Sequence, residues 1–234
     1  MSRKFFVNVT ANILLIAIVI SVFAVGVGGA SHDAFNQDKL QPVYRGNTEK
    51  KCVSLMINVY WGTEYIPEML EILSKYDIKT TFFVGGYWVA KNVDLLQSIV
   101  DHGHEIGNHG FYHKDQGKLN YSQNVNEIMT NHELIQQSVG VESKLFAPPS
   151  GSFSSSTLNA AYDNGYTTIM WSRDTIDWRD KDANLVYKRA TENTSNGELI
   201  LMHPTAHTTS VLEKIVQYYL AGGYQIVTVS QNIA

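Results

Sequence analysis

Short apolar runs alternate with stretches of helical period from Cys52 to the end of the chain. Apolar runs of about four to eight residues are typical of buried strands, and apolar residues three and four positions apart are typical of amphipathic helices. The predicted strands are 53–59, 80–84, 105–108, 144–147, 167–171, 199–202 and 225–229. The predicted helices are 64–76, 93–102, 122–139, 154–164, 184–194 and 211–221. This alternation predicts an α/β fold, and about seven parallel strands favour a closed or nearly closed (β/α) barrel.

The first 30 residues differ from the rest in being almost free of charge. Arg3 and Lys4 precede an uncharged span from Phe5 to His32, which predicts a secretory signal peptide or a membrane anchor. In both cases the positive residues stay on the cytoplasmic side, so the remainder is expected outside the cytoplasm, either secreted or anchored to the membrane. The expected parts are a signal or anchor at 1–30, a linker and edge segment at 31–50, and a barrel domain at 51–234.

Charge and cysteine content narrow the function classes. The formal net charge is −4, and no cluster of Lys and Arg is interleaved with aromatic residues, so nucleic acid is not an expected partner. Cys52 is the single cysteine, which excludes an internal disulfide. No Gly-x-Gly-x-x-Gly pattern follows the first predicted strand, which argues against a dinucleotide site.

Polar and aromatic residues recur just after the predicted strands, at the end of a barrel where active sites form. His109 and His113 lie four residues apart, and on one helical turn this spacing would point both imidazoles at one divalent ion. Two solvated histidines at the start of a helix are the alternative. The other candidates at these strand ends are Asn58, Tyr60, Trp61, Pro149, Ser150, Asp174, Asp177, Trp178 and His203.

Several motifs of the chain, taken in order, resemble the NodB-type polysaccharide deacetylases of carbohydrate esterase family 4. The motifs are Thr81-Phe82-Phe83, Gly103 to His109 with His113, Pro148-Pro149, Asp174 to Trp178, and Leu201-Met202-His203. The resemblance covers roughly residues 44–233 and is greatest to the sporulation-type branch of spore-forming bacteria. It implies a distorted barrel that removes acetyl groups from N-acetylated cell-wall glycan of the peptidoglycan type.

The resemblance also implies roles for individual residues. His109 and His113 would hold a divalent metal, usually zinc, with cobalt or manganese as alternatives. His203 would be the general acid, and Asp174 or Asp177 would orient its imidazole. Substrate-binding positions would be Tyr60, Trp61, Pro149, Ser150 and Trp178.

Two motifs depart from the family pattern. Where the family has Thr-Phe-Asp-Asp-Gly, Asn58 stands at the position of the catalytic base, and the third metal ligand is replaced by Val59 or Tyr60. Where the family has Arg-Pro-Pro-Tyr, the chain has Ala147 to Ser150. An amide cannot take a proton from water at neutral pH, so the base and one ligand are missing from their usual positions.

Two interpretations follow. In the first, which is our main prediction, the protein is a deacetylase with a rearranged site in which Glu64, Asp174 or Asp177 substitutes for a missing carboxylate. In the second, it binds glycan without hydrolysing it. The aromatic residues available for that second role are Trp61, Trp88, Tyr112 and Trp178.

Overall fold

A computed structural model describes residues 40–234, with one curled parallel sheet at its centre. The strands are β1 Cys52–Val59, β2 Thr81–Val84, β3 Glu105–Asn108, β4 Leu145–Phe146, β5 Thr167–Thr168, β6 Arg173–Asp174, β7 Glu198–Met202 and β8 Gln225–Ile226. The helices are α1 Ile66–Lys75, α2 Gly86–Val89, α3 Val93–Asp101, α4 Tyr121–Val139, α5 Ser155–Asp163, α6 Ala183–Thr191, α7 Ala206–Ala221 and α8 Val229–Ile233. Short 3-10 turns occupy Thr63–Tyr65, Gln116–Lys118 and Pro149–Gly151.

The strand order is β5-β4-β3-β2-β1-β7-β6, and β8 pairs with the start of β1. All pairings between these strands are parallel. The segment before β1 bridges to both sides of the sheet, since Val43 pairs with Ile169 beyond β5 and Arg45 pairs with Glu198 of β7. The α/β class and the distorted, incompletely closed barrel are therefore confirmed.

Strand β1 determines which side chains reach the interior of the barrel. Successive side chains of a strand point to opposite faces. Leu55, Ile57 and Val59 pack in the outer core between the sheet and its helices, whereas Met56 belongs to the inner cluster. Asn58, two residues beyond Met56, consequently faces the interior at the carboxyl end of the strand.

The helices follow the predicted periodicity closely. The buried residues of α1 recur three and four positions apart, as in an amphipathic helix, and are Ile66, Met69, Leu70 and Leu73. Helix α4 begins with a capping box, in which the Asn120 side chain accepts from the N–H of Gln123 and the Gln123 side chain accepts from the N–H of Asn120. Helix α5 begins with a similar reciprocal pair at Ser154 and Thr157.

Two predicted strands were too long, and a short helix was not predicted. The predicted strand 167–171 contains only the two residues of β5, and β6 follows it separately at Arg173–Asp174. The predicted strand 225–229 stops at Ile226 because Thr228 caps the short helix α8. Short helix α2 was not predicted at all, since its four residues are too few to show a helical period.

The predicted signal or anchor at 1–30 and the first part of the linker lie outside the described residues. Between residues 40 and 234, no helix combines the length and apolar character needed to cross a membrane.

Candidate active site

A cavity of about 340 Å³ opens at the carboxyl ends of the strands, where the barrel predicts an active site. Its volume lies within the range of small-molecule sites, about 300–1,000 Å³. The lining residues are Asn58, Tyr60, Trp61, His109, His113, Ser150, Trp171, Asp174, Trp178, Leu201 and His203. Nine of the predicted site residues therefore meet in one cavity. Pro149 is buried and does not line it, and Asp177 lies behind His203.

His203 and Asp177 form a tightly connected pair at the wall of the cavity. The Nδ1 nitrogen of His203 lies 2.7 Å from Oδ1 of the fully buried Asp177. The second carboxylate oxygen accepts from the backbone N–H of His203 and from the hydroxyl of Thr208, both at 2.6 Å. A carboxylate can only accept, so Nδ1 carries a proton and Nε2 is the nitrogen left to exchange a proton with a ligand.

The pKa of Asp177 reflects two opposing effects. Burial alone raises it, but the hydrogen bond and charge of His203, together with the Thr208 hydroxyl, outweigh burial and hold the pKa below its ordinary value. Asp177 is therefore an ionised partner that orients the imidazole, which is the role that the sequence left open between Asp174 and Asp177.

Trp61 stacks on the His203 ring. The two ring centroids are 5.6 Å apart with an interplanar angle of 9°. This arrangement depends on Gly62, which has a φ of 76° and where a Cβ atom would lie 1.9 Å from the carbonyl oxygen of Pro204. Close approach of the two backbones thus places the loop after β1 against the loop after β7.

His109 and His113 are adjacent, but not on a helical turn as their spacing suggested. His109 follows β3 directly, and His113 sits in the next loop with a left-handed φ of 55°. Their ring centroids are 5.1 Å apart. The intervening Gly110 has a φ of 70°, which breaks the helical geometry that four-residue spacing requires.

A buried polar support holds this loop in position. Glu127 on α4 accepts from the backbone N–H of Phe111 at 3.1 Å and of Tyr112 at 2.8 Å. Lys114 pairs with the same carboxylate at 2.9 Å. The buried side chain of Asn108 accepts from the Gly110 N–H at 2.9 Å. Asn108 belongs to the motif Gly103 to His109, whereas Glu127 and Lys114 were missed by the sequence analysis, since no motif marks them.

Both imidazoles of the loop are neutral at physiological pH. Burial lowers the pKa of His109 to about 3, with the neighbouring His113 acting in the same direction. Burial also lowers the pKa of His113. Nδ1 of His109 donates to the carbonyl oxygen of Ala147 at 2.7 Å, so its Nε2 is the nitrogen with a free lone pair.

The altered first motif places Tyr60, rather than Val59, beside His113. Val59 is fully buried in the outer core. The Tyr60 ring lies 4.8 Å from the His113 ring, measured between centroids. Burial raises the pKa of the Tyr60 phenol, which makes it a neutral group rather than an anionic ligand.

The donor set does not fit the divalent ion that the family resemblance implies. A catalytic zinc usually has three protein ligands, commonly including a carboxylate or a third histidine. Within residues 40–234, no three His, Cys, Asp or Glu side chains are grouped so that they could hold a metal ion. The cavity also contains the buried Oδ1 of Asn58, a neutral amide oxygen that accepts no hydrogen bond from the described residues.

The suggested substitutes do not complete the set either. Glu64 is exposed in the 3-10 turn before α1 and does not line the cavity. Both oxygens of Asp177 are bonded to His203 and Thr208. Asp174 lines the cavity, but burial raises its pKa and its Oδ1 accepts from the Ile176 N–H at 2.7 Å.

The aromatic candidates divide into two groups. Trp61 and Trp178 line the cavity and expose 43% and 54% of their surface, so both can contact a ligand. Trp88 is buried in the outer core, and Tyr112 lies outside the cavity lining. Trp171 lines the cavity instead and was missed, although its place at the end of a predicted strand could have indicated it.

The polysaccharide deacetylase family model matches residues 45–169, more than half of the chain. The chain belongs to the polysaccharide deacetylase family. A curated relative of this deacetylase-type domain is protein YlxY of Bacillus subtilis, which is 41% identical over 191 residues. That match covers 82% of this chain and 60% of YlxY, so the chain spans less than two thirds of that relative. A peptidoglycan-N-acetylglucosamine deacetylase of Bacillus cereus is 30% identical, with 71% of this chain and 81% of the relative covered.

The deacetylase-type domain is also similar to a solved structure described as a CE4 family pseudoenzyme, from Bacillus anthracis. The TM-score is 0.81 at 36% identity, with 83% of this chain and 69% of the other covered. A mutant of that pseudoenzyme, described as having restored enzymatic activity, is similar at a TM-score of 0.81 and 35% identity. The family thus contains both peptidoglycan deacetylases and pseudoenzymes among the relatives of this chain.

Proposed function

We propose that the domain binds an N-acetylated glycan of the peptidoglycan type in the cavity and hydrolyses its acetyl group slowly or not at all. The observation that carries this proposal is the buried Oδ1 of Asn58, which faces the cavity where the family has its catalytic base and accepts no hydrogen bond from the described residues. A buried acceptor without a partner costs about 1–3 kcal/mol, and a ligand donor would remove that cost. The acetamide N–H is such a donor.

The rest of the cavity suits a sugar ring. Trp61 and Trp178 present exposed aromatic faces, which pack well against the C–H faces of sugars. The His203 imidazole, held by Asp177, supplies a hydrogen-bonding group in the wall of the cavity. The carboxylate that the family uses to deprotonate water is missing, because Asn58 is an amide at that position and Asp177 is committed to His203.

A titration tests the proposal. Intrinsic tryptophan fluorescence would be followed while N-acetylglucosamine oligomers and their fully deacetylated counterparts are added. We expect the acetylated oligomer to bind more tightly, and Asn58→Ala to weaken its binding about tenfold, since about 1.4 kcal/mol corresponds to that factor. Tyr218→Ala, which removes an exposed aromatic residue outside the cavity lining, is the control. Equal affinity for both oligomers would reject the proposal.

Metal-dependent deacetylation is the second candidate, favoured by one observation. His109 and His113 are neutral and adjacent, and the bond to Ala147 leaves Nε2 of His109 free to coordinate. In that case the two histidines would hold zinc, cobalt or manganese, and His203 would protonate the leaving amine. Release of acetate by the wild type with any of these ions, lost in His203→Ala, would establish this candidate in place of the first.

The proposed site of action is the cell wall, outside the cytoplasm. Relatives named as peptidoglycan deacetylases support this, since peptidoglycan is an extracytoplasmic polymer. The division into a signal or anchor at 1–30, a linker and edge segment at 31–50 and the barrel domain at 51–234 is part of the proposal. Fractionation of cells that produce the full chain, with N-terminal sequencing of the mature protein, tests both the location and the cleavage.

A further inference from the structure

A lysine and a tyrosine outside the cavity lining form a second polar feature at its edge. The Nζ nitrogen of Lys91 lies 3.8 Å from the centroid of the Tyr87 ring and donates to the Tyr87 hydroxyl at 2.6 Å. Tyr87 is 45% exposed, and Lys91 is exposed as well. The pair belongs to helix α2 and the residues just after it, so it rests on a packed element rather than on an extended loop.

This pair is close to the candidate site. The Tyr87 and Tyr60 ring centroids are 6.2 Å apart, and Tyr60 lines the cavity. Backbone bonds from Gly86 to Gly110 and from Tyr87 to Phe111, both 2.9 Å, fix α2 beside the loop that carries the two histidines. Tyr87 thus connects the Lys91 ammonium with Tyr60 of the cavity lining.

Lys91 differs from two other basic residues near the cavity in having no ion-pair partner among the described residues. Lys114 pairs with the buried carboxylate of Glu127 at 2.9 Å, and Arg179 pairs with Asp180 at 2.8 Å. No carboxylate of residues 40–234 forms an ion pair with Lys91. The Tyr87 ring and hydroxyl hold the ammonium without neutralising it, since a neutral phenol carries no negative charge.

We propose that Lys91 and Tyr87 form a subsite for the carboxylate of an acidic sugar adjoining the N-acetyl group bound in the cavity. This inference rests on the proposed function and specifies its substrate class, namely a glycan of the N-acetylmuramic acid type rather than a neutral N-acetylglucosamine polymer. A fixed ammonium without a counter-charge binds a carboxylate by a charge-assisted hydrogen bond. The exposed Tyr87 face would also contact the sugar that carries the acid.

The acid could belong to the lactyl ether of a muramic sugar or to a uronic acid, and both present the same carboxylate to Lys91. The lactyl group is attached to the sugar ring that also bears an acetamide, so one residue could place both groups at once. A uronic acid would have to come from the neighbouring sugar. Ligands of both kinds therefore belong in the test.

The experiment compares matched ligands on matched variants of the full chain. The ligands are a disaccharide of N-acetylglucosamine and N-acetylmuramic acid, the same disaccharide with its lactyl carboxylate converted to the methyl amide, and an N-acetylated disaccharide containing a uronic acid. The variants are the wild type, Lys91→Gln, and Lys214→Gln as a control at an exposed lysine of α7. Affinities are measured by calorimetry at low and high salt.

We expect the wild type to prefer the free acid over the amide by about twofold to fivefold, as for an exposed charge pair, and the preference to shrink at high salt. Lys91→Gln should abolish the preference while binding the amide normally, and Lys214→Gln should retain it. Equal affinity of the wild type for acid and amide would overturn the subsite alone, whereas binding of neither would overturn the proposed function with it. Preference for the uronic disaccharide over the muramic one would overturn the muramic assignment.

Discussion

His203 and Asp177 are joined twice, through the imidazole Nδ1 at 2.7 Å and through the backbone N–H at 2.6 Å. A third donor, the Thr208 hydroxyl, completes the surroundings of the carboxylate at 2.6 Å. The pair keeps the arrangement that the family resemblance implies for the general acid, although Asn58 stands at the position implied for the base. The arrangement also contributes to stability, because removing one partner of a buried pair leaves the remaining buried groups without their counterpart.

Removal of Asp177 should cost more stability than removal of Asp174. Asp177→Ala leaves three donors without their acceptor, and we expect the free energy of unfolding to fall by about 3 kcal/mol. Asp174 is only half-buried and accepts one backbone hydrogen bond, so Asp174→Ala should cost about 1 kcal/mol. Urea denaturation of both variants measures the difference. Equal losses would show that the His203 pair contributes little to stability.

Gly85 should be essential for the position of Tyr60. A Cβ atom at residue 85 would lie 2.5 Å from Cδ2 of Tyr60, although the backbone there has an ordinary φ of −85°. Gly85→Ala should therefore destabilise the fold by about 1–3 kcal/mol through steric overlap. The same substitution in a Tyr60→Ala background should cost much less, because the overlapping ring is gone.

A double-mutant cycle measures this coupling. We expect the interaction energy between the two substitutions to exceed about 1 kcal/mol. We also expect Gly85→Ala to bind glycan weakly. Additive effects would mean that the Tyr60 ring moves aside without cost, so its contact with His113 would not depend on Gly85.

The fold was largely predictable because its helices and longer strands are strongly periodic. The elements that escaped prediction are two to five residues long, such as β6 and α8, and are defined by pairing partners and caps rather than by a pattern. The site residues were predictable from motifs rather than from periodicity, since they lie at strand ends and match the family pattern. The sequence alone left open which side chains at the end of β1 face the cavity. In the structure, Asn58 faces the cavity and Val59 packs in the outer core.

The two histidines show the limit of spacing alone. Four-residue separation suggested one helical turn, but Gly110 and the left-handed His113 bring the rings together by a loop. The support from Glu127, fifteen and sixteen residues away from the amides it binds, carries no motif. Such supports depend on the packing of α4 against the sheet, which a single sequence does not display.

His104 should make the protein less stable as the pH falls below neutrality. Its Nδ1 accepts from the Thr80 N–H at 3.1 Å, and burial lowers its pKa from 6.5 to about 4. The unfolded chain binds this proton below pH 6.5 and the folded chain only below about 4. Stability is therefore full above pH 6.5 and decreases towards pH 4, by up to about 3 kcal/mol at roughly 1.4 kcal/mol per unit.

The variant His104→Asn tests whether His104 causes this loss of stability at acid pH. The amide oxygen of Asn can accept from Thr80 without titrating, so the loss of stability between pH 7.5 and pH 4.5 should be smaller than in the wild type by about 2 kcal/mol. Unfolding in urea at the two pH values measures it. An identical loss in both proteins would assign the acid sensitivity to other groups.

Asn58→Asp should convert the cavity into a metal-binding site at the expense of stability without metal. The new carboxylate would be buried beside two neutral imidazoles, and position 147 is Ala where the family has an arginine, so no cation compensates it. We expect the metal-free variant to lose about 3 kcal/mol and zinc to restore most of it, since an ion at a hundred times its Kd stabilises by about 2.7 kcal/mol. Asn58→Ala is the matched control and should show no zinc effect. Unfolding midpoints with and without zinc, and the visible absorption of bound cobalt, measure the change. A zinc effect no larger than that of the control would mean that His109 and His113 cannot form a metal site even with a carboxylate at position 58.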